Sequence, residues 1–63
     1  MNTVVMVLGT SKPELFAVVI TNLYDHQQAG DIVEIIGEYP LETANWMAER
    51  EGQKRKLPTI LHS

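Results

Sequence analysis

The chain has 63 residues, a net charge of −3 and no cysteine. A domain of this length buries only roughly 60% of its unfolded surface, and its core supplies about 3–5 kcal/mol, so a further stabilising device is expected. The missing thiols exclude a disulfide, a thiolate zinc site and dithiol chemistry. His26 and His62 stand far apart without ligand spacing, which leaves self-association as the expected device.

No stretch reaches the roughly 18 apolar residues that span a bilayer. The amino terminus has neither the charged region nor the long apolar run of a signal peptide. The expectation is a cytoplasmic protein with no membrane contact. The negative net charge argues against general nucleic-acid affinity, yet four of the five basic residues (Arg50, Lys54, Arg55 and Lys56) fall within seven positions. No repeat, linker or low-complexity tract breaks the chain, so residues 1–63 form a single domain.

Residues 3–9, Thr-Val-Val-Met-Val-Leu-Gly, are an apolar run without polar alternation. That pattern fits a strand buried on both faces in the middle of a sheet. Two readings compete for the next segment. Ser11-x-x-Glu14 matches a capping box, and Pro13 is tolerated in a first helical turn. Leu15, Phe16, Val19, Ile20 and Leu23 then cover an arc of about 140° at helical spacing. Gly30 suits the position just after a helix end. These signals predict a helix over about 12–29. Val18-Val19-Ile20-Thr21, however, is four β-branched residues in succession, a strand composition. On that alternative, residues 15–24 are a strand in an antiparallel sheet with a single helix over 40–51.

Residues 31–37 read as a strand whose central Glu34 suits an edge, since charge protects exposed edges. A helix is expected over 40–51. Pro40 stands at its start, Glu42 in its first turn and Gly52 at its stop. Leu41, Ala44, Met47 and Ala48 form its buried stripe. Trp46 falls on the opposite side, with Arg50 one turn later. Trp beside Arg is a pairing that interface hot spots favour. A short strand over 57–61 closes the chain, with Pro58 at its beginning because it cannot donate a ladder bond.

With the first of the two readings the order is β-α-β-α-β, an α/β arrangement ending in Gly52-Gln53-Lys54-Arg55-Lys56-Leu57-Pro58-Thr59-Ile60. In this form the chain resembles a glutaredoxin, a truncated and degenerate member of the thioredoxin fold. The resemblance implies that Leu57-Pro58 corresponds to the family's strand-opening proline. It also implies that Lys12-Pro13-Glu14-Leu15, preceded by Ser11, stands where the family keeps Cys-Pro-x-Cys. Pro13 is retained and both cysteines are absent, so the family's thiol chemistry is lost. The family's last strand and helix have no counterpart. Their absence is expected to expose apolar surface at Ala17, Val18 and Tyr24, and to invite a partner chain.

No nucleophile–base pair, phosphate-cradling glycine loop or metal cage is recognisable, so no enzyme, cofactor or metal is expected. The resulting expectation is a redox-inactive binding module that works through protein contacts, as a homodimer or with another protein. Its partner-binding candidates are Val18, Tyr24, Trp46 and Arg50. Its size suits an accessory protein of a phage or other mobile element. The alternative is a small nucleic-acid-binding protein that uses Arg50, Lys54, Arg55 and Lys56. The amides at the Ser11–Leu15 turn, with Lys12 beside them, are a lesser anion-site candidate.

Overall fold

The computed structural model describes residues 2–23 and 29–62. Those residues form a small α+β arrangement of four strands and one helix: β1 (Asn2–Gly9), β2 (Phe16–Leu23), β3 (Ala29–Tyr39), α1 (Leu41–Arg55) and β4 (Thr59–Ile60). The sheet order is β3-β2-β1-β4. β1, β2 and β3 form an antiparallel meander, and β4 lies parallel to β1. The second of the two sequence readings therefore gives the elements, with residues 16–23 a strand and one helix after β3, while the sheet is mixed and not wholly antiparallel because β4 runs parallel to β1.

The helix expected over 12–29 is corrected, and the reason lies in the side chains of β2. Val18 and Ile20 pair with Val7 and Val5 on one face, while Val19 pairs with Met6 on the other. A strand apolar on both faces has no period-2 alternation to betray it. The supposed capping box is a turn. The Leu15 N–H donates to the Lys12 carbonyl at 3.1 Å, with Pro13 at the second turn position, where its fixed φ is favoured. The Thr10 hydroxyl oxygen accepts the Lys12 N–H at 3.1 Å and lies 2.9 Å from the Leu15 carbonyl. That hydroxyl ties the turn to the end of β1.

The two faces carry separate cores. Val5, Val7, Val18, Ile20, Ala44 and Ala48 pack between sheet and helix, with Phe16, Ile36, Tyr39, Met47 and Leu57 around them. Val4, Met6, Val19 and Leu23 form the second cluster, flanked by Leu8, Ala17 and Ile60. β1 is an inner strand and β3 an edge, as their compositions predict. Thr21 is fully buried on the second face, and its hydroxyl donates to the Asp31 carbonyl at 3.0 Å. Among the described residues no buried side-chain polar atom lacks a hydrogen-bond partner.

α1 presents the predicted buried stripe, with Ala44 and Ala48 fully enclosed. It runs past the expected stop at Gly52 to Arg55. Gly52 is a packing residue: a Cβ there meets the Thr59 Oγ1 and sits 3.1 Å from the Leu57 carbonyl oxygen. The helix ends instead at Lys56, which adopts the left-handed conformation with φ 57° and ψ 45°. The Leu57 N–H donates to the Gly52 carbonyl at 2.9 Å and the Lys56 N–H to the Gln53 carbonyl at 3.4 Å, the paired bonds of a Schellman stop.

The expected strand over 57–61 is shorter, with only Thr59 and Ile60 in the ladder, and Pro58 precedes it as its missing N–H requires. The carbonyl of Pro58 accepts the Val5 N–H at 2.9 Å. Beyond β4, the Asn45 side chain clasps the chain end. Its Nδ2 donates to the His62 carbonyl at 2.9 Å, and its Oδ1 accepts the His62 N–H at 3.1 Å. The His62 ring meets Phe16 with centroids 4.8 Å apart. Asn45→Ala removes both bonds at an exposed site and is expected to cost about 1 kcal/mol. Thermal melting checks the loss, and faster amide exchange at His62 locates it.

Candidate functional site

Two exposed surfaces stand out, one on β3 and one on α1. β3 is 11 residues long and interrupts its pairing with β2 at three places. Those irregularities turn Ile32, Ile35 and Glu38 towards one side, opposite Thr21, Val19 and Ala17 respectively. Ile32 is 50% exposed, Val33 61% and Ile35 65%. A single exposed aliphatic residue needs no explanation, but three within four positions of one edge strand do. The bulges and the carboxylates Glu34 and Glu38 blunt the edge against backbone pairing.

The second surface is the outer side of α1. Trp46, Glu49, Arg50 and Gln53 follow one another at i, i+3, i+4 and i+7 and so share one helical face. They line an open depression of ≈ 220 Å³. Trp46 is 55% exposed, and the Arg50 guanidinium carbon lies 5.3 Å from its ring centroid, within cation–π range. Trp46 and Arg50 were legible as a pair; Glu49 and Gln53 were not singled out, although the same helical spacing contains them.

The basic cluster is divided by its ion pairs. Arg55 donates bidentately to Glu34 at 3.3 and 3.2 Å, and its Nε donates to Glu51 at 3.0 Å. These hydrogen bonds, Glu51's first and Glu34's second, raise the Arg55 pKa above its ordinary value, so this guanidinium is committed to joining α1 to β3. Lys54 and Lys56 are exposed.

The remaining sequence candidates do not assemble. Ser11, Lys12, Pro13, Glu14 and Leu15 form the β1–β2 turn, not a helix start. Leu57 and Pro58 meet β1 beside Val5, five residues before Thr10, which is about 16 Å along a strand. Among the described residues no peptide bond is cis. Val18 is fully buried against α1 and is removed as a partner-binding candidate. Tyr24 lies outside the described residues. The exposed patch on β3 was missed: the run Ile32-Val33-Glu34-Ile35-Ile36 read as a strand, and its unusual apolarity for an edge was the available signal.

No group of three or more histidine, aspartate or glutamate residues among those described is arranged to hold a metal ion. No described helix is long and apolar enough to cross a membrane. Compared with known proteins, the chain matches no family model, no curated protein and no solved structure.

Proposed function

We propose that this chain is a redox-inactive binding module that acts through protein contacts and associates with further copies of itself. The observation that carries the reading is the row Ile32, Val33 and Ile35, exposed on a long edge strand of a very small domain. Leaving three aliphatic side chains in water forgoes stabilisation of about 1.5–3 kcal/mol for each one fully buried, and a contact recovers part of it. The reading does not draw on the glutaredoxin resemblance, whose first helix is β2 here.

Binding of nucleic acid through the basic cluster has weaker support. Arg55 is occupied by two carboxylates, and Glu49 sits inside the Trp46 depression, where a phosphate backbone meets repulsion.

Sedimentation velocity across the micromolar range tests the proposal. The unmodified protein is expected to sediment faster than a monomer at high micromolar concentration. Ile35→Lys is expected to remain monomeric with an unchanged circular dichroism spectrum. A monomer at every concentration overturns the self-association reading.

A further inference from the structure

We propose that the outer face of α1 around Trp46 and Arg50 receives the β3 edge of a second copy of this chain, so that copies join head to tail. The inference rests on the self-association reading above and names the two surfaces that meet.

The two surfaces are complementary in charge. On β3 the side that holds Ile32 and Ile35 carries Glu38 and no basic residue, whereas along the outer side of α1 Arg50, Lys54 and Lys56 outnumber Glu49, Arg55 being paired with Glu34 and Glu51. The chemistry of such a contact already exists within one copy, where Arg55 of α1 grips Glu34 of β3 with both guanidinium nitrogens. Arg50, Lys54 and Lys56 make no ion pair among the described residues, which leaves them to a partner.

The surfaces also match in polarity. Each has an exposed apolar centre, Trp46 on the helix and Ile32 with Ile35 on the strand. Both centres are bordered by charge, which is the arrangement of a hot spot within a polar rim. A 15-residue helix is about 22 Å long and an 11-residue strand about 36 Å, so β3 is long enough to take the partner's α1 along it.

Their placement sets the symmetry. α1 covers the face of the sheet that holds Val5 and Val18. Ile32, Ile35 and Glu38 share the side of Thr21, Val19 and Ala17, which is the opposite face. Donor and acceptor surfaces therefore point away from each other, and the contact is heterologous: it extends to a third copy instead of closing about a twofold axis. One helix against one strand buries little area, at the small end of protein interfaces, so association belongs in the micromolar range and is salt-sensitive.

A mixing experiment tests this. Arg50→Glu/Lys54→Glu disables the α1 surface and leaves β3 intact; Ile35→Lys disables β3 and leaves α1 intact. Each variant alone is expected to self-associate roughly tenfold more weakly or worse, as loss of a hot-spot contact gives. Their equimolar mixture is expected to form a dimer and stop there, because each pair retains one good junction. Trp46 is the only tryptophan, so placing Trp46→Phe in the Arg50→Glu/Lys54→Glu variant lets fluorescence report the recipient face alone. All substituted positions are exposed; should Ile35→Lys lose its circular dichroism spectrum, Glu38→Lys replaces it.

A mixture that stays monomeric overturns the inference, as does undiminished association of Arg50→Glu/Lys54→Glu alone. If that variant associates and Ile35→Lys does not, self-association through β3 survives and only its assigned partner surface is wrong. If Ile35→Lys associates like the parent, both readings fail. Saturable quenching of Trp46 by a twelve-residue oligothymidylate, with no response on mixing, assigns the α1 face to nucleic acid and overturns the inference.

Discussion

Val18→Asp unfolds the protein. Val18 is fully enclosed between Val7 on β1 and the alanines of α1. The substitution removes about 1.5–3 kcal/mol of apolar burial and adds the several kcal/mol cost of placing a carboxylate in an apolar interior without a partner. A domain of this size has about 3–5 kcal/mol to lose. Far-ultraviolet circular dichroism at room temperature is expected to show the spectrum of an unfolded chain. Val33→Asp, at a 61% exposed position on β3, is the control and is expected to change stability by no more than about 0.5 kcal/mol. A folded Val18→Asp protein overturns the placement of β2, because a helix over 12–29 would turn Val18 towards water.

The same position shows why the sequence was only partly readable. β1 and α1 announce themselves, the first by five apolar residues in succession, the second by a stripe at Leu41, Ala44, Met47 and Ala48 with Pro40 ahead of it. β2 defeats a periodicity argument because Phe16, Val18 and Ile20 serve one face while Val19 and Leu23 serve the other. Its apolar set falls by coincidence on a helical arc. Ser11 and Glu14 imitate a capping box while Lys12 to Leu15 make a β-turn. The β-branched composition of Val18 to Thr21 carries the correct information, against the capping pattern. The candidate surfaces divide along the same line. Trp46 and Arg50 lie one turn apart on a helix whose boundaries were nearly right, so their pairing follows from local geometry. The Ile32–Ile35 patch depends on how β3 slips against β2, and that register is a property of two strands, not of either segment alone.

Gly52→Ala is expected to lower the melting temperature, the reverse of what such a change does on an exposed helix. In a free helical position alanine gains about 1 kcal/mol over glycine. At position 52 the new methyl group meets the Thr59 Oγ1 and lies 3.1 Å from the Leu57 carbonyl oxygen. Neither neighbour gives way cheaply. Thr59 is β-branched and stiff, and it sits in the ladder with Val5. The Leu57 carbonyl belongs to the backbone that follows the Schellman stop, whose N–H is already bonded to the Gly52 carbonyl. Overpacking of this kind costs about 1–3 kcal/mol, which offsets the helical gain and leaves a net loss of about 1 kcal/mol, or roughly 4–8 °C in a domain of 60–100 residues. The pair Gly52→Ala/Thr59→Ala removes the side-chain clash and is expected to melt above Gly52→Ala alone, a coupling that neighbours in contact show and distant sites do not. A rise in melting temperature for the single change, or strict additivity in the pair, contradicts the close approach of β4 to α1. That approach is what fixes the last strand. β4 makes only two ladder pairs with β1, so its position is held chiefly by the bare backbone at Gly52 on one side and by the Asn45 clasp on the other.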